Sequence, residues 1–232
     1  MRYPGTSGKR NSKSALATRS LTLTALLGIG QARAENANMS LLNRMTRSQF
    51  QVTEGEIEEL PTGLLSVTSP KMRAVVPSST SPVAEIRFKY LGSTIKDVAL
   101  GSGEMRRQLG LKLRAQDPCN LIYVMWRLEP KPEIVVSIKL NPGQHSSSEC
   151  ENDGYRNIKP LHAAPVPELE VGAFHSLMAE MKGENLTVMV DKRIVWEWPL
   201  GGQAMSLEGP VGIRTDNGRF EFEFLAGTFK PR

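Results

Sequence analysis

The sequence of residues 209–224, GPVGIRTDNGRFEFEF, places a DNG turn before three phenylalanines that alternate with charged residues. Because successive side chains of a β-strand point to opposite faces, the phenylalanines share one face and the glutamates between them share the other. Residues 186–196, LTVMVDKRIVW, show two further apolar runs on either side of a DK turn. Together with residues 174–182, FHSLMAEMK, these patterns predict short antiparallel strands joined by tight turns.

The earlier part of the chain shows the same organisation. Residues 84–90, AEIRFKY, and residues 108–114, QLGLKLR, alternate apolar and polar side chains, as half-buried strands do. Residues 121–128, LIYVMWRL, are apolar on both faces, which is typical of a central strand. Residues 50–58 predict a strand, a turn at the Glu-Gly pair and a return strand. With frequent turn signals and no long helical pattern, we predict an all-β fold, a two-sheet antiparallel jelly-roll β-sandwich.

The N-terminal 34 residues differ from the rest of the chain in charge. They contain no acidic residue and six of the 29 lysines and arginines, so the remaining chain, with its 24 acidic residues, is close to neutral. This balance argues against a nucleic-acid partner. A basic start, an apolar run at residues 21–30 and the sequence ARA at 32–34 match a secretory signal, which predicts a secreted or periplasmic protein. An organelle transit peptide or a disordered tail are the alternatives.

These patterns divide the chain into three regions. We predict a signal peptide or disordered leader at 1–34, a flexible segment at 35–48 and the β-sandwich domain at 49–232. A transmembrane helix needs roughly 20 consecutive apolar residues. No run after the leader reaches that length, so we predict no transmembrane segment.

Two cysteines, Cys119 and Cys150, are the only ones in the chain. In an oxidising compartment they could form a disulfide, which we predict; two unpaired thiols are the alternative. Between residues 141 and 170 the strand pattern stops, and polar residues give way to a Pro- and Ala-rich run. Such a long loop is usually functional or mobile, or it is an insertion held by the bridge.

The late strands, together with FQVTEGEI at residues 50–57 and EIRFKY at 85–90, resemble the concanavalin A-like lectin/glucanase superfamily. Within it, the chain resembles laminin-G-like domains and the bacterial 3-keto-disaccharide hydrolase type, and the resemblance spans residues 50–227. It implies that the late pieces form the closing meander of a two-sheet jelly roll. The same scaffold carries lectins, hydrolases, lyases and adhesive modules, so the resemblance implies a fold more than an activity. The laminarinase-type motif, Glu-x-Asp-x-Glu or Glu-x-Asp-x-x-Glu, is absent from the sequence.

The non-core faces of the middle strands carry most of the candidate ligand-binding residues. If these strands share one concave sheet, they form a basic groove with an aromatic platform. Guanidinium groups match carboxylates and sulfates in geometry, so this groove would suit a uronate or sulfated glycan. An ordinary solvated sheet face is the alternative. The predicted ligand-binding residues are Arg87, Lys89, Gln108, Lys112, Arg114, Tyr123, Arg127 and Lys139.

The sequence supports candidate catalytic residues less strongly than the ligand-binding residues. Glu221 and Glu223 project from one face of a strand, and retaining glycosidases use two carboxyl groups about 5–5.5 Å apart. A solvated outer face has the same pattern. In the lyases of this superfamily a Tyr or His acts as base and acid, which would suit Tyr123 and His145.

We therefore expect a carbohydrate-binding module, with an acidic polysaccharide as a candidate ligand and no chemistry of its own. The alternatives are a glycoside hydrolase or polysaccharide lyase that uses the same groove, and a structural or protein-interaction module. No cofactor is predicted. A structural calcium ion is left open at the turns around Asp191 and Asp216, although turn chemistry alone explains these residues.

Overall fold

The computed structural model describes residues 42–228, with the side chains of residues 80–82 and 228 left out. The predicted leader, its cleavage sequence and the first part of the predicted flexible segment lie outside the described residues. Within the described part, no helix is long and apolar enough to cross a membrane.

Antiparallel strands account for most of this part of the chain. Only short helical turns interrupt them, at Arg47–Gln49, at α1 (Ser147–Cys150) and at α2 (Gly202–Met205). The strands are β1 (Asn43–Arg44), β2 (Gln51–Glu54), β3 (Glu58–Glu59), β4 (Leu65–Val67), β5 (Lys71–Val75), β6 (Ser79–Ser93), β7 (Arg107–Asp117), β8 (Asn120–Glu129), β9 (Glu133–Lys139), β10 (Tyr155–Ile158), β11 (His162–Ala163), β12 (Phe174–Lys182), β13 (Asn185–Val190), β14 (Arg193–Pro199), β15 (Gly212–Asp216) and β16 (Gly218–Thr228).

The strands form two sheets. The seven-stranded sheet has the order β10-β9-β8-β7-β15-β5-β2. The nine-stranded sheet has the order β11-β14-β13-β12-β6-β16-β4-β3, and β1 pairs with β16 beside this path. The predicted all-β, two-sheet antiparallel sandwich is therefore confirmed.

The inner faces of the two sheets meet in one apolar core. Phe88 of the nine-stranded sheet packs edge-to-face against Trp126 of the seven-stranded sheet, with ring centroids 5.6 Å apart. The three alternating phenylalanines of β16 are fully buried in the same core. Each such side chain contributes about 1.5–3 kcal/mol by leaving water. The period-two pattern of β16 therefore arises because one face is buried and the other is in contact with solvent.

Two hairpins that the sequence predicts do not form, because their strands lie in different sheets. β2 pairs with β5 in one sheet and β3 pairs with β4 in the other, so the turn at Gly55, with a φ of 72°, carries the chain across the sandwich. The closing meander is likewise interrupted, because β15 lies in the seven-stranded sheet and β16 in the nine-stranded sheet. Alternation of side chains determines which face of a strand is buried, but it does not identify the neighbouring strand.

Residues 43–48 belong to the predicted flexible segment, and residue 49 is the first residue of the predicted domain. In the structure these residues lie on the sandwich. Asn43 and Arg44 pair with Ala226 and Leu225, and Met45 is buried in the core. The short polar strand gives no alternation from which this packing could be predicted. The folded unit therefore includes residues before the predicted start at 49.

Candidate functional site

A groove of about 560 Å³ lies on the outer face of the seven-stranded sheet. Its floor consists of the side chains that alternate with the core residues on β5, β7, β8, β9 and β15. The loop before β7, α1 and β10 line its rim, and Gly101 of that loop lies beside Asn152. Seven basic side chains line it against three glutamates. The basic residues are Lys71, Arg73, Arg106, Lys112, Arg127, Lys139 and Arg214, and the acidic ones are Glu54, Glu104 and Glu151.

The strand register determines which of these side chains are neighbours. Lys112 on β7 lies opposite Tyr123 on β8. One step along the sheet, Arg214 on β15 lies between Arg73 on β5 and Gly110 on β7. Directly opposed residues of antiparallel strands have Cβ atoms about 4.5–5.5 Å apart. The register therefore gathers three cationic side chains around a position that carries no side chain.

Gly110 is required by the close approach of two strands. A Cβ atom added there would lie 2.2 Å from the carbonyl oxygen of Val124 and 2.7 Å from the sulfur of Met125. Real Cβ atoms do not make contacts this short, so even alanine would force the strands apart. Because Met125 fills this position, β7 and β8 pack closely between Lys112 and Arg214.

The carboxylate of Asp216 holds the groove floor together. It is fully buried and accepts hydrogen bonds from Arg73 at 2.6 Å, Arg214 at 2.9 Å and Gln108 at 2.6 Å. Burial acts to raise the pKa of the Asp216 carboxyl, but Arg214, Arg73 and these hydrogen bonds hold it below its ordinary value. The charge of Asp216 also keeps the pKa of Arg214 above its ordinary value, although burial acts to lower it. One buried anion thus positions two guanidinium groups.

Lys112 is a buried cation of the groove whose amine has no direct partner in the described part of the chain. Lys112 is 6% exposed, and within residues 42–228 its amine forms neither an ion pair nor a hydrogen bond. Burial lowers the pKa of Lys112 to about 7, with further lowering by the charges of Arg73 and Arg214 and a small opposing effect of Glu54. The amine therefore loses its proton at a much lower pH than an exposed lysine does.

An aromatic platform lies beside these cations. The rings of Tyr123 and Tyr155 stack with centroids 6.0 Å apart and an angle of 19° between their planes. The guanidinium of Arg214 lies 5.0 Å from the Tyr123 ring, and the Lys139 amine lies 5.1 Å from the Tyr155 ring. Burial raises the pKa of Tyr123 to about 12, so this phenol stays protonated at neutral pH.

The predicted disulfide between Cys119 and Cys150 is present in the structure and helps to form the groove wall. It joins the start of β8 to α1, whose first turn is stabilised by Glu149 as an acceptor for the backbone N–H groups of residues 145 and 146. The Lys139 amine donates to the carbonyl oxygen of Glu151 at 2.9 Å. The polar loop after residue 141 is therefore tied to the sheet and ends in β10, which carries Tyr155.

Two further arginines of the groove lining have their own ion pairs. Arg127 donates to Glu133 at 2.7 Å, and Arg106 pairs with Glu104. The Nε of Arg127 is buried and has no hydrogen-bond partner within the described part of the chain. Because both arginines already have carboxylate partners, they add less positive charge to the groove than Lys112 does.

Five predicted ligand-binding residues lie together in this groove: Gln108, Lys112, Tyr123, Arg127 and Lys139. Arg87 and Lys89 do not, and their assignment to the groove is wrong. Both lie on β6, which belongs to the nine-stranded sheet between β12 and β16. There Arg87 pairs with Glu85 at 2.8 Å, and the Lys89 amine lies 4.5 Å from the Phe174 ring.

Arg114 is also misplaced, for a local reason. Its φ of 47° interrupts the alternation of β7, and its guanidinium donates to the carbonyl oxygens of Leu207 at 2.8 Å and Met205 at 3.3 Å. His145 does not line the groove, and its Nδ1 lies 2.9 Å from a carboxylate oxygen of Asp117. Of the residues assigned to a lyase role, only Tyr123 lies in the groove.

Glu221 and Glu223 lie on the outer face of the nine-stranded sheet, away from the groove. Glu223 forms an ion pair with Arg44 at 3.2 Å. Asp191, at one of the turns where a structural calcium ion was left open, accepts from His175 at 2.8 Å and from the Ser176 N–H at 2.7 Å. Within residues 42–228, no cluster of three or more His, Cys, Asp or Glu residues could hold a metal ion.

Solved structures with the same architecture include carbohydrate-binding proteins. The carbohydrate binding module CBM66 from Bacillus subtilis aligns with a TM-score of 0.51 at 15% identity, covering 77% of this chain and 92% of that chain. The carbohydrate recognition domain of Emp46p in its metal-free form aligns with a TM-score of 0.50 at 11% identity, covering 79% and 90%. The fold is concanavalin A-like. No family model and no curated protein matches the sequence.

A third solved structure with this fold comes from work on endo-acting O-glycanases, which prominent members of the human gut microbiota express to initiate mucin breakdown. It aligns with a TM-score of 0.50 at 9% identity, covering 80% of this chain and 94% of that chain. At such identities the likeness extends to the fold alone. Both binding modules and glycan-cleaving enzymes use this scaffold, so function must be argued from the groove.

Sequence reasoning missed Arg73, Arg214, Tyr155 and Asn157 among other residues of the groove. Arg73 and Arg214 belong to short strands whose place in the sheet the sequence does not reveal. A signal was nevertheless present, because Arg214 and Asp216 lie two positions apart and so share one face of a strand, where their charges can pair. Tyr155 and Asn157 lie in the region that the sequence presents as a polar loop. Their strand forms by pairing with β9, which is a long-range contact.

Proposed function

We propose that the protein is a carbohydrate-binding module that binds acidic polysaccharide in the groove on its seven-stranded sheet. The observation that carries the proposal is the excess of cationic side chains in that groove, where seven lysines and arginines face three glutamates. Export from the cytoplasm, which the leader predicts, is part of the same proposal.

The buried position of these cations supports a ligand of opposite charge. Arg73 and Arg214 each have side chains that are only 12% exposed, and Lys112 is buried as well. Taking charges out of water is costly unless they gain partners. Lysines and arginines that served only for solubility would extend into water, as Lys182 does with 64% exposure. Arg73 and Arg214 share Asp216, whereas the Lys112 amine has no partner among the described residues, and an anionic ligand would supply one.

The aromatic rings beside the cations support a sugar rather than a simple ion. Tyr155 is 39% exposed and stacks on the buried Tyr123, so one side of the platform is open to solvent. Ser137 and Asn157 add hydrogen-bonding groups on the neighbouring strands. Binding sites for small molecules and oligosaccharides combine an apolar surface with a few convergent polar groups in this way.

A glycan-array screen of the full chain tests this proposal. We expect binding to glycans with uronate or sulfate groups at low salt, weakening as salt screens the charges. Binding to no glycan at low salt would contradict the proposal. A preference for neutral glycans would contradict the proposal that the ligand is acidic.

Glycan cleavage by elimination is a second candidate, and one observation favours it. Lys112, with a pKa of about 7, lies opposite Tyr123 in the groove. A neutral Lys112 amine would accept the proton from the carbon next to a uronate carboxyl group. The bond from the adjacent carbon to the glycosidic oxygen would break, a carbon–carbon double bond would form, and Tyr123 would give its proton to the leaving oxygen.

Incubation of the chain with an oligogalacturonide separates the two candidates. Elimination predicts ultraviolet absorbance from the unsaturated product, at a rate that rises with pH through neutrality as Lys112 loses its proton. Binding alone predicts no absorbance change and no new reducing ends. For hydrolysis, Glu221 and Glu223 offer no support because they lie on the other sheet.

A further inference from the structure

The group of cations beside Gly110 is the most distinctive feature of the groove. Lys112 is two residues away on the same strand and face, Arg214 is opposite on β15, and Arg73 is the next residue across on β5. Met125 fills the position where a side chain of residue 110 would begin, and all three cations line the groove around it. Three cationic side chains thus lie close together on the outer face of the seven-stranded sheet.

The charges around this space do not balance. Asp216 is shared by Arg73 and Arg214, so one buried carboxylate serves two guanidinium groups. Glu54, on β2, lies 3.8 Å from Arg73 and is 48% exposed, which weakens its effect through solvent screening. Tyr123, the neighbour on β8, stays neutral because burial raises its pKa to about 12. A protonated Lys112 therefore has no nearby anion of its own.

We infer that Lys112, Arg73 and Arg214 form an anion subsite on the groove floor beside Gly110, which takes one carboxylate or sulfate group of the glycan together with a proton on Lys112. The inference rests on the proposed function and specifies the chemistry of its site. The two guanidinium groups, fixed by Asp216, supply the permanent charge. Lys112 adds the charge that depends on pH and therefore discriminates acidic from neutral ligands.

The proton follows from the state of Lys112 in the free protein. Its pKa of about 7 leaves the amine mostly neutral at pH 8, whereas a bound oxyanion stabilises the ammonium form. Binding above neutrality must then take up a proton from the buffer. Linkage predicts a roughly tenfold loss of affinity between pH 6 and pH 8 if the bound form keeps its proton.

Calorimetric titration of the full chain tests the inference. The probes are a galacturonic acid tetramer, its carboxyl-reduced neutral counterpart and a κ-carrageenan tetrasaccharide, which carries sulfate but no carboxylate groups. Each is titrated at pH 6 and at pH 8, and the pH 8 titrations are repeated in two buffers with different heats of ionisation to count protons. The two acidic probes distinguish a carboxylate from a sulfate as the preferred group.

Two variants complete the design. Lys112→Met removes the proposed contact, and Lys89→Met removes a lysine on the outer face of the other sheet as a matched control. We expect the wild type and K89M to take up close to one proton per acidic probe at pH 8 and to lose affinity with rising pH. K112M should bind the acidic probe at least tenfold more weakly at pH 6, without proton uptake.

The outcomes separate the inference from the proposed function. Binding of an acidic probe without proton uptake, or with equal strength by K112M, would overturn the subsite and leave the binding module intact. Equal affinity for the acidic and carboxyl-reduced probes would also overturn the subsite. No binding of any probe by the wild type at either pH would overturn both.

Discussion

Asp216 is the residue on which the geometry of the basic groove depends. Its carboxylate is completely buried, yet it retains its charge because two arginines and Gln108 surround it. Without it, Arg73 and Arg214 would repel each other and turn toward solvent. A buried anion beneath a basic surface is thus what keeps that surface in place.

Replacing Asp216 by Asn should destabilise the protein strongly. The substitution leaves two largely buried guanidinium groups without their anion, and breaking a buried charge pair costs about 3–5 kcal/mol. Urea unfolding measures this as a lower midpoint with an unchanged slope. The matched control is Glu223→Gln, which breaks the exposed pair with Arg44 and should cost no more than about 1 kcal/mol. Similar effects of both substitutions would contradict this role for Asp216.

Replacing Lys112 should have the opposite effect on the stability of the protein. Because its pKa is lower in the folded protein than its ordinary value of 10.5, the folded state disfavours the ammonium form. Its destabilising effect is full below pH 7 and disappears as the pH rises toward 10.5. K112M should therefore be more stable than the wild type at pH 6, by a few kcal/mol in order of magnitude.

Urea unfolding of both proteins from pH 6 to pH 10 checks this prediction. The difference in unfolding free energy should shrink steadily above pH 7. A constant difference would show that Lys112 does not titrate near neutrality, and a less stable K112M would show that the amine has a stabilising partner.

Among the elements, β10 and the disulfide decide the shape of the groove wall. β10 is the edge strand of the seven-stranded sheet, and it pairs with β9 from Tyr155 to Ile158. The Cys119–Cys150 bridge, with a sequence separation of 31, anchors the segment that leads to it. An edge strand with one neighbour is among the first elements to open locally.

Replacing both cysteines by serine should loosen this wall more than the rest of the sandwich. The loss of the cross-link should cost about 2–4 kcal/mol of stability. Hydrogen exchange measures the local effect: the amides of residues 155–158 should exchange faster, while those of β7 and β8 change only in line with global stability. Uniform acceleration across the sheet would contradict a local role of the bridge.

The elements also show how far the sequence predicts this fold. The alternating strands β6, β7 and β12 to β14 were predictable, because a buried face imposes a period of two on their side chains. β10 was not, because its polar sequence becomes a strand only through its pairing with β9. The placement of Arg87 and Lys89 failed for a related reason: alternation identifies the outer face of a strand but not the sheet to which it belongs.

At the scale of the whole molecule, the two outer faces of the sandwich differ in charge organisation. On the nine-stranded sheet, acidic and basic residues pair locally, as Arg87 does with Glu85 and Arg44 with Glu223. On the seven-stranded sheet, cations gather in one groove around a single buried carboxylate. The near-neutral composition of the chain after residue 34 gives no sign of this difference, since it arises only when β5, β7 and β15 become neighbours.

Backbone NMR of the protein titrated with a galacturonic acid tetramer tests whether the basic groove binds glycan, because amide shifts locate the ligand on one sheet. We expect the largest shifts on β7, β8, β9, β10 and β15, with the amides of Gly110 and Lys112 among them. Shifts concentrated on β6, β12 and β16, or no shifts at low salt, would contradict the assignment of the basic groove as the glycan-binding site.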